Sequence, residues 1–449
     1  MSKFTRDLTE GSVAKKLVRF AAPFFAANFM QALYGITDRI IVGNFVDTAE
    51  SSLGTEALYV SWAVMMFMNA VIIGLSVGVT VIIAQCVGAK RHERLKGIIG
   101  TTFSAFGVIA IVLSLLLFVF APPLLRVLQT SEAAFGGASA YLRINAAGFI
   151  FVVGYNSVSA VLRGMGDSLR PMVFVAIAAS LNIVLDLLFI GVLEWGLAGA
   201  GFATIIAQAL SFILAAVYLS RSGFVFDFKP GSFRVKREEL NNIIRLGLPS
   251  AAQQSLVQGS FLAITPLANS IGAASIAAVM GAINGLAVLP AQAMMAAVSS
   301  MTGQNIGAGK IDRAKKVMYS AMLMILPVSL TVWAIVFFFP ETLMGIFTNY
   351  AGNADTGANY LRIGCTEYIV VSELFMINGL LLGAGHPKVT LVNSFVNSIL
   401  LRVPLAYFFS LGLGMGIYGI PMATAIAPTG GFIIAWGFYL SGKWKTRTI

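Results

Sequence analysis

The sequence is written twice. Tyr141-Leu142-Arg143-Ile144 recurs 219 positions later as Tyr360-Leu361-Arg362-Ile363, and Gln85-x-x-Gly88-Ala89 recurs at the same shift as Gln304-x-x-Gly307-Ala308. Gly196-x-x-Gly199-x-x-x-Ala203-Thr204 recurs 220 positions later as Gly416-x-x-Gly419-x-x-x-Ala423-Thr424. Three matches at one period, spread over most of each half, require two similar lobes. The repeat also serves as a control, because a polar residue present in one copy and absent from the other is not demanded by the shared fold.

Of 449 residues, 58% are hydrophobic and only 11% are charged, against about 25% charged in soluble domains. That composition excludes a water-soluble globule and predicts a polytopic helical membrane protein. The net charge of +11 does not mark a nucleic-acid binder, because the basic residues form short clusters between apolar runs. The two cysteines, Cys86 and Cys365, form no zinc spacing or disulfide framework, and the two histidines, His92 and His386, fall in basic loops without metal-ligand partners. No nucleophile and base arrangement stands out, so an enzyme is not expected.

Crossing about 30 Å of hydrocarbon takes about 20 apolar residues. Twelve such runs are present, at 18–43, 57–84, 99–121, 136–162, 171–193, 196–219, 242–271, 275–302, 317–339, 357–383, 389–411 and 416–440. Connections alternate between basic and acidic. Lys90, Arg91, Arg94 and Lys96 follow the second run, and Lys310, Arg313, Lys315 and Lys316 follow the eighth. Asp47 and Glu50 follow the first run, and Glu341 and Asp355 the ninth. The positive-inside rule then places both termini on the cytoplasmic side of a bacterial-type inner membrane. Six spans per half is an even number, so the copies enter the membrane in the same sense, as parallel repeats. The expected division is an N-lobe over 1–220, a solvated cytoplasmic linker over 221–241 with a short amphipathic helix around 234–245, and a C-lobe over 242–449.

Four carboxylates lie inside the runs: Asp38, Asp186, Glu367 and Glu373. A charge at mid-membrane costs about 2.5–3.5 kcal/mol by insertion scales, so each is a functional candidate or half of an ion pair. Asn182 and Asp186 are four residues apart, on one helical face, and Thr204 stands in the next run. At the 219 shift the counterparts of Asn182 and Asp186 are Leu401 and Leu405, whereas Thr204 matches Thr424. Asp38 shares its run with Pro23, which bends a helix by removing a hydrogen bond. Glu373 is a candidate substrate contact, with pairing to Arg402 as the structural alternative; for Glu367 the alternative is an interfacial position.

In order and spacing, these features resemble the multidrug and toxic compound extrusion (MATE) family. The resemblance rests on Pro23…Tyr34-x-x-x-Asp38-x-x-x-x-Gly43, Gln85-x-x-Gly-Ala-Lys90, Arg163-Gly-Met-Gly-Asp167 and Gly196-x-x-Gly199. It implies an all-α fold of twelve transmembrane helices in two six-helix repeats. It implies a secondary antiporter that exports organic, often cationic, compounds in exchange for H⁺ or Na⁺. In the branch resembling DNA-damage-inducible and archaeal members, the cation site maps onto Asp38, Asn182, Asp186 and Thr204, with Pro23, Tyr34 and Tyr141 around it. No cofactor is implied beyond the coupling ion, and no metal beyond Na⁺ at those four residues. The expected partners are the bilayer and small organic substrates, not nucleic acid, and the working unit is a monomer. A flippase for lipid-linked oligosaccharides is the alternative; it would use Arg39, Arg143, Arg362 or Arg402 to meet a diphosphate.

Overall fold

The computed structural model describes residues 5–46, 53–128, 130–221, 224–347 and 354–446. Asp47 and Glu50 of the first loop lie outside the described residues. The first half forms α1 (Val13–Phe45), α2 (Leu53–Gly88), α3 (His92–Val127), α4 (Glu132–Gly164), α5 (Leu169–Asp186) and α6 (Gly196–Arg221). The second forms α7 (Arg237–Ser270), α8 (Ala274–Ala287), α9 (Leu289–Gly307), α10 (Ile311–Phe338), α11 (Pro340–Phe347), α12 (Ala354–Gly364), α13 (Glu367–Gly383), α14 (Pro387–Phe395), α15 (Val403–Tyr407) and α16 (Gly419–Leu440). No strand occurs among the described residues.

Every apolar run becomes a helix or a pair of stacked helices. The eighth run is α8 and α9, broken at Val288 just before Pro290, which cannot donate to the preceding turn. The tenth is α12 and α13, and the eleventh is α14 and α15 joined by a π-helical stretch, Val396–Arg402. Ten of these stretches are apolar enough to cross a membrane by length and composition. The remaining two, α1 and α7, are of similar length, at 33 and 34 residues, but carry Gln31 and Asp38 in one and Gln253, Gln254 and Gln258 in the other. They complete the expected twelve spans. The helices also overrun the apolar runs: α3 has 36 residues, about 54 Å at 1.5 Å per residue. Its outer face exposes Val108, Ile111, Leu115, Phe118 and Val119, a stripe suited to lipid rather than water.

The duplication extends to the backbone. Positive φ occurs at Lys90 and Gly309, at Gly166 and Gly385, and at Gly196 and Gly416, pairs separated by 219 or 220 positions. Gly196 and Gly416 both have φ 56°, the left-handed geometry that a side chain disfavours; each opens the sixth span of its half. Apolar packing repeats as well. Tyr141 and Leu142 sit in one buried cluster with Ile41, Leu125 and Leu197, and Tyr360 and Leu361 hold the same place in another with Leu267, Met280 and Ile420.

The chain resolves into two compact units. The first contains Ala26–Ile83 and Arg91–Arg245; the second contains Asp7–Phe25, Ala84–Lys90 and Leu246–Ile449. Both Gln-x-x-Gly-Ala copies therefore lie in the second unit, and they meet there. A Cβ on Gly88 would come 1.9 Å from the Gln304 carbonyl oxygen, and one on Gly307 would come 2.1 Å from that of Gln85. Gln85 Nε2 donates to the Gly383 carbonyl at 3.0 Å, and the Leu8 N–H donates to Gln304 Oε1 at 2.9 Å. The linker is largely exposed; after a single 3₁₀ turn at Pro230–Ser232 it lies along α3, and the helix expected around 234–245 is the start of α7, which begins at Arg237.

Candidate functional site

In the first unit, α1, α4, α5 and α6 bring polar groups into one buried place. Gln31, Tyr34 and Asp38 stand at i, i+3 and i+7 on α1, a single helical face. Asn182 and Asp186 close α5, and immediately after Asp186 the backbone widens into a π-helical stretch, Leu187–Val192. Such local widening re-aims side chains and recurs at functional sites. Thr204, Gln208 and Ser211 stand at i, i+4 and i+7 on α6, again one helical face.

Asp38, Asn182 and Asp186 are all buried. The Asp186 carboxyl faces that of Asp38; among the described residues, no group besides Asp38 reaches either Asp186 oxygen, and neither amide atom of Asn182 has a partner. Tyr34 and Tyr141 lie within electrostatic reach of both carboxyls. Two adjacent carboxyls in low dielectric cannot both stay ionised without a cation between them or a proton on one. Beside the pair is a small, partly open pocket of about 20 Å³, lined by Gln31, Tyr34, Asn182, Thr204, Gln208 and Ser211 among others. Its walls carry amide and hydroxyl oxygens, the hard ligands that alkali cations take. Among the described residues no cluster of three His, Cys, Asp or Glu could hold a metal ion.

Five of the residues named from the sequence thus come together with Thr204: Tyr34, Asp38, Tyr141, Asn182 and Asp186. Pro23 lies inside α1 but falls in the second unit, as does Glu373. Glu373 has one buried oxygen with no partner, and Arg402 is not its ion pair. Arg402 instead neighbours Glu367 and donates to Ser260 Oγ at 3.1 Å. Glu367 is buried and accepts from Asn284 Nδ2 at 2.9 Å. Four residues of the first-unit site were missed: Gln31, Gln208 and Ser211 on the cavity wall, and Asn145, whose side chain meets Tyr141. Their helical spacing from Tyr34, Thr204 and Tyr141 was the signal available. Asp167, from the Arg163-Gly-Met-Gly-Asp motif, is buried and ion-paired with Arg170 and with Arg6, so its part is structural.

A helical chain that spans the membrane twelve times and buries a facing carboxyl pair beside a pocket with polar groups in its wall belongs to the class of polytopic solute carriers. The MatE family model matches residues 23–188 and 249–408, and the chain belongs to that family of membrane transporters. It is 31% identical to the probable multidrug resistance protein YpnP of Bacillus subtilis, over 99% of this chain and 98% of the relative. It is 28% identical to the probable multidrug resistance protein NorM of Thermotoga maritima, over 97% and 94%. Among solved structures, a MATE protein crystallised in complex with MaD3S superposes with a TM-score of 0.91 at 24% identity, covering 98% of each chain. That likeness establishes the shared twelve-helix fold. The protein is a transporter and not an enzyme.

Proposed function

We propose that this chain is a multidrug efflux antiporter that exports organic cationic or amphipathic compounds in exchange for H⁺ or Na⁺. The observation that carries the reading is the Asp38–Asp186 carboxyl pair, buried in the first unit and absent from the second copy of the fold. A proton or a Na⁺ ion resolves the repulsion within the pair, with Asn182 and Thr204 supplying further oxygens. Loading changes the polar contacts of α1 and α5 and so favours one access state over the other; export follows when substrate and ion prefer different states. The names of the relatives support a multidrug substrate range. The basic loops support cytoplasmic termini in the inner membrane.

The arginines argue against the flippase alternative. Arg143 packs over the Phe118 ring at 5.7 Å, Arg362 is held by Glu341 at 2.7 Å, and Arg402 is occupied by Ser260 and Glu367. The Arg39 side chain lies outside the described ones. Dye efflux from proteoliposomes under separately imposed H⁺ and Na⁺ gradients tests the proposal. One gradient should drive export, and Asp38→Asn should abolish it while the protein still inserts. Export by Asp38→Asn at the parent rate, or lipid-oligosaccharide flipping in place of efflux, would overturn it.

A further inference from the structure

The segment between α6 and α7 is folded onto α3 along a track that the sequence keeps clear. Gly97, Gly100, Thr101 and Ser104 form one face of α3. A Cβ on Gly100 would lie 2.2 Å from the Ser232 carbonyl oxygen, and one on Gly97 would lie 2.8 Å from Lys236 Nζ. Thr101 Oγ1 accepts from the Lys236 N–H at 3.0 Å, and Ser104 Oγ donates to the Phe233 carbonyl at 2.9 Å. Phe103 packs against Phe226, Phe228 and Phe233 with ring centroids 5.9–6.5 Å apart.

This docking disposes of the segment's acids and leaves its cations outside. Glu239 and Glu238 are both paired with Arg94, at 2.9 and 3.7 Å. Asp227 accepts from the Ser232 hydroxyl at 2.5 Å. Lys229, Arg234, Lys236 and Arg237 are exposed, and among the described residues Arg234, Lys236 and Arg237 form no ion pair. Between them, two apolar side chains are turned outward: Phe233 is 38% exposed and Val235 is 49% exposed. The depth is set by α3. Its lipid-facing stripe begins at Val108, four residues from Ser104, or about 6 Å along the helix. That distance is the thickness of a headgroup layer, since headgroups add roughly 5–7 Å per leaflet to the hydrocarbon core.

We infer that residues 229–237 are a binding surface for anionic phospholipid, with the four cations on headgroup phosphates and Phe233 and Val235 at the acyl boundary. Charge complementarity and depth both select the bilayer over a soluble partner. The inference rests on the membrane-carrier reading, but its test needs no transport. Cys86 and Cys365 are buried, so Val235→Cys gives a selectively labelled site for a nitrobenzoxadiazole dye. The labelled protein is placed in nanodiscs containing spin-labelled phosphatidylglycerol or spin-labelled phosphatidylcholine at equal mole fraction. Quenching should be stronger with phosphatidylglycerol, and 10 mM inorganic phosphate should not reverse it. Adding K229Q/R234Q/K236Q/R237Q should bring the two lipids to parity, each lost cation weakening the preference by about fivefold. The docking contacts to Thr101 and Ser104 use backbone atoms, so the variant retains them; an unchanged Thr101-side crosslinking or helical signal checks this. Equal quenching by both lipids in the parent would overturn the proposal. So would no quenching by either, the result expected of a face open to water or to a soluble protein.

Discussion

Replacing Asp186 with leucine, the residue at its counterpart Leu405, should separate function from stability. Both Asp186 oxygens are buried and, apart from the opposing Asp38 carboxyl, receive no donor among the described residues. An unsatisfied buried polar group costs about 1–3 kcal/mol, and replacing buried ionic groups with apolar ones of similar volume is neutral or stabilising by about 1–4 kcal/mol. Asp186→Leu should therefore raise stability by about 1–3 kcal/mol, while removing half of the ion site and ion-driven export with it. Thermal unfolding in detergent measures the first effect, and dye efflux from proteoliposomes under the driving gradient measures the second. The control is Asp167→Leu, which breaks buried ion pairs to Arg170 and Arg6 and should destabilise. The reasoning fails if Asp186→Leu unfolds earlier than the parent, since the carboxylate would then be part of the architecture. It also fails if the variant exports at the parent rate.

Thr204→Val keeps the shape of the cavity wall and removes its hydroxyl; the ion concentration for half-maximal export should rise about tenfold. Glu367→Gln removes the negative charge near the buried Arg402 and should lower stability, by less than the about 3–5 kcal/mol of a directly broken buried pair, with Arg402→Met restoring most of it in the double variant, read by thermal unfolding. Gly88→Ala drives a Cβ into the Gln304 backbone and should cost about 3 kcal/mol or more, whereas Gly35→Ala, with open space around it, should be neutral. The Ser232 hydroxyl holds the Asp227 carboxyl below its usual value of 3.8. A depressed folded value contributes stability above the ordinary one and loses it only as pH falls through the folded one, so linker docking, followed by hydrogen exchange, should be flat from pH 5 to 8.

The fold was legible because lipid imposes simple rules. Apolar runs of spanning length must be helical, and the repeat turned two sets of six into one architecture. The helix ends were less legible, because α3 and α7 continue past the hydrocarbon on polar residues that hydropathy does not register. The docking of the linker was not legible. Its charges read as solvated, and its cations are exposed, but Arg94, which pairs with Glu238 and Glu239, and the glycines on α3 that make room for it are distant in sequence. Within the site, the carboxyl pair and Asn182 were found by their failure to repeat. Gln31, Gln208 and Ser211 were passed over because uncharged polar residues in a membrane helix carry no large penalty. The pairing of Arg402 with Glu373, one of two alternatives for that glutamate, gives way to proximity to Glu367 because the two glutamates lie on different faces of α13, and sequence spacing does not say which one meets the neighbouring helix.

The meeting of the two Gln-x-x-Gly-Ala copies also bears on how the protein is made. Residues 84–90, at the end of α2, have their partners around Gln304. At roughly 5–20 residues per second, the ribosome takes about 11–43 s to advance from Gly88 to Gln304. During that interval the end of α2 is inserted but unmatched, with Gln85 lacking the Gly383 carbonyl it later uses. The first-made lobe therefore waits, incompletely packed, for the last third of the chain. A nascent chain stalled before α9 should expose Cys86 to thiol reagents, and one released after Gly383 should hide it.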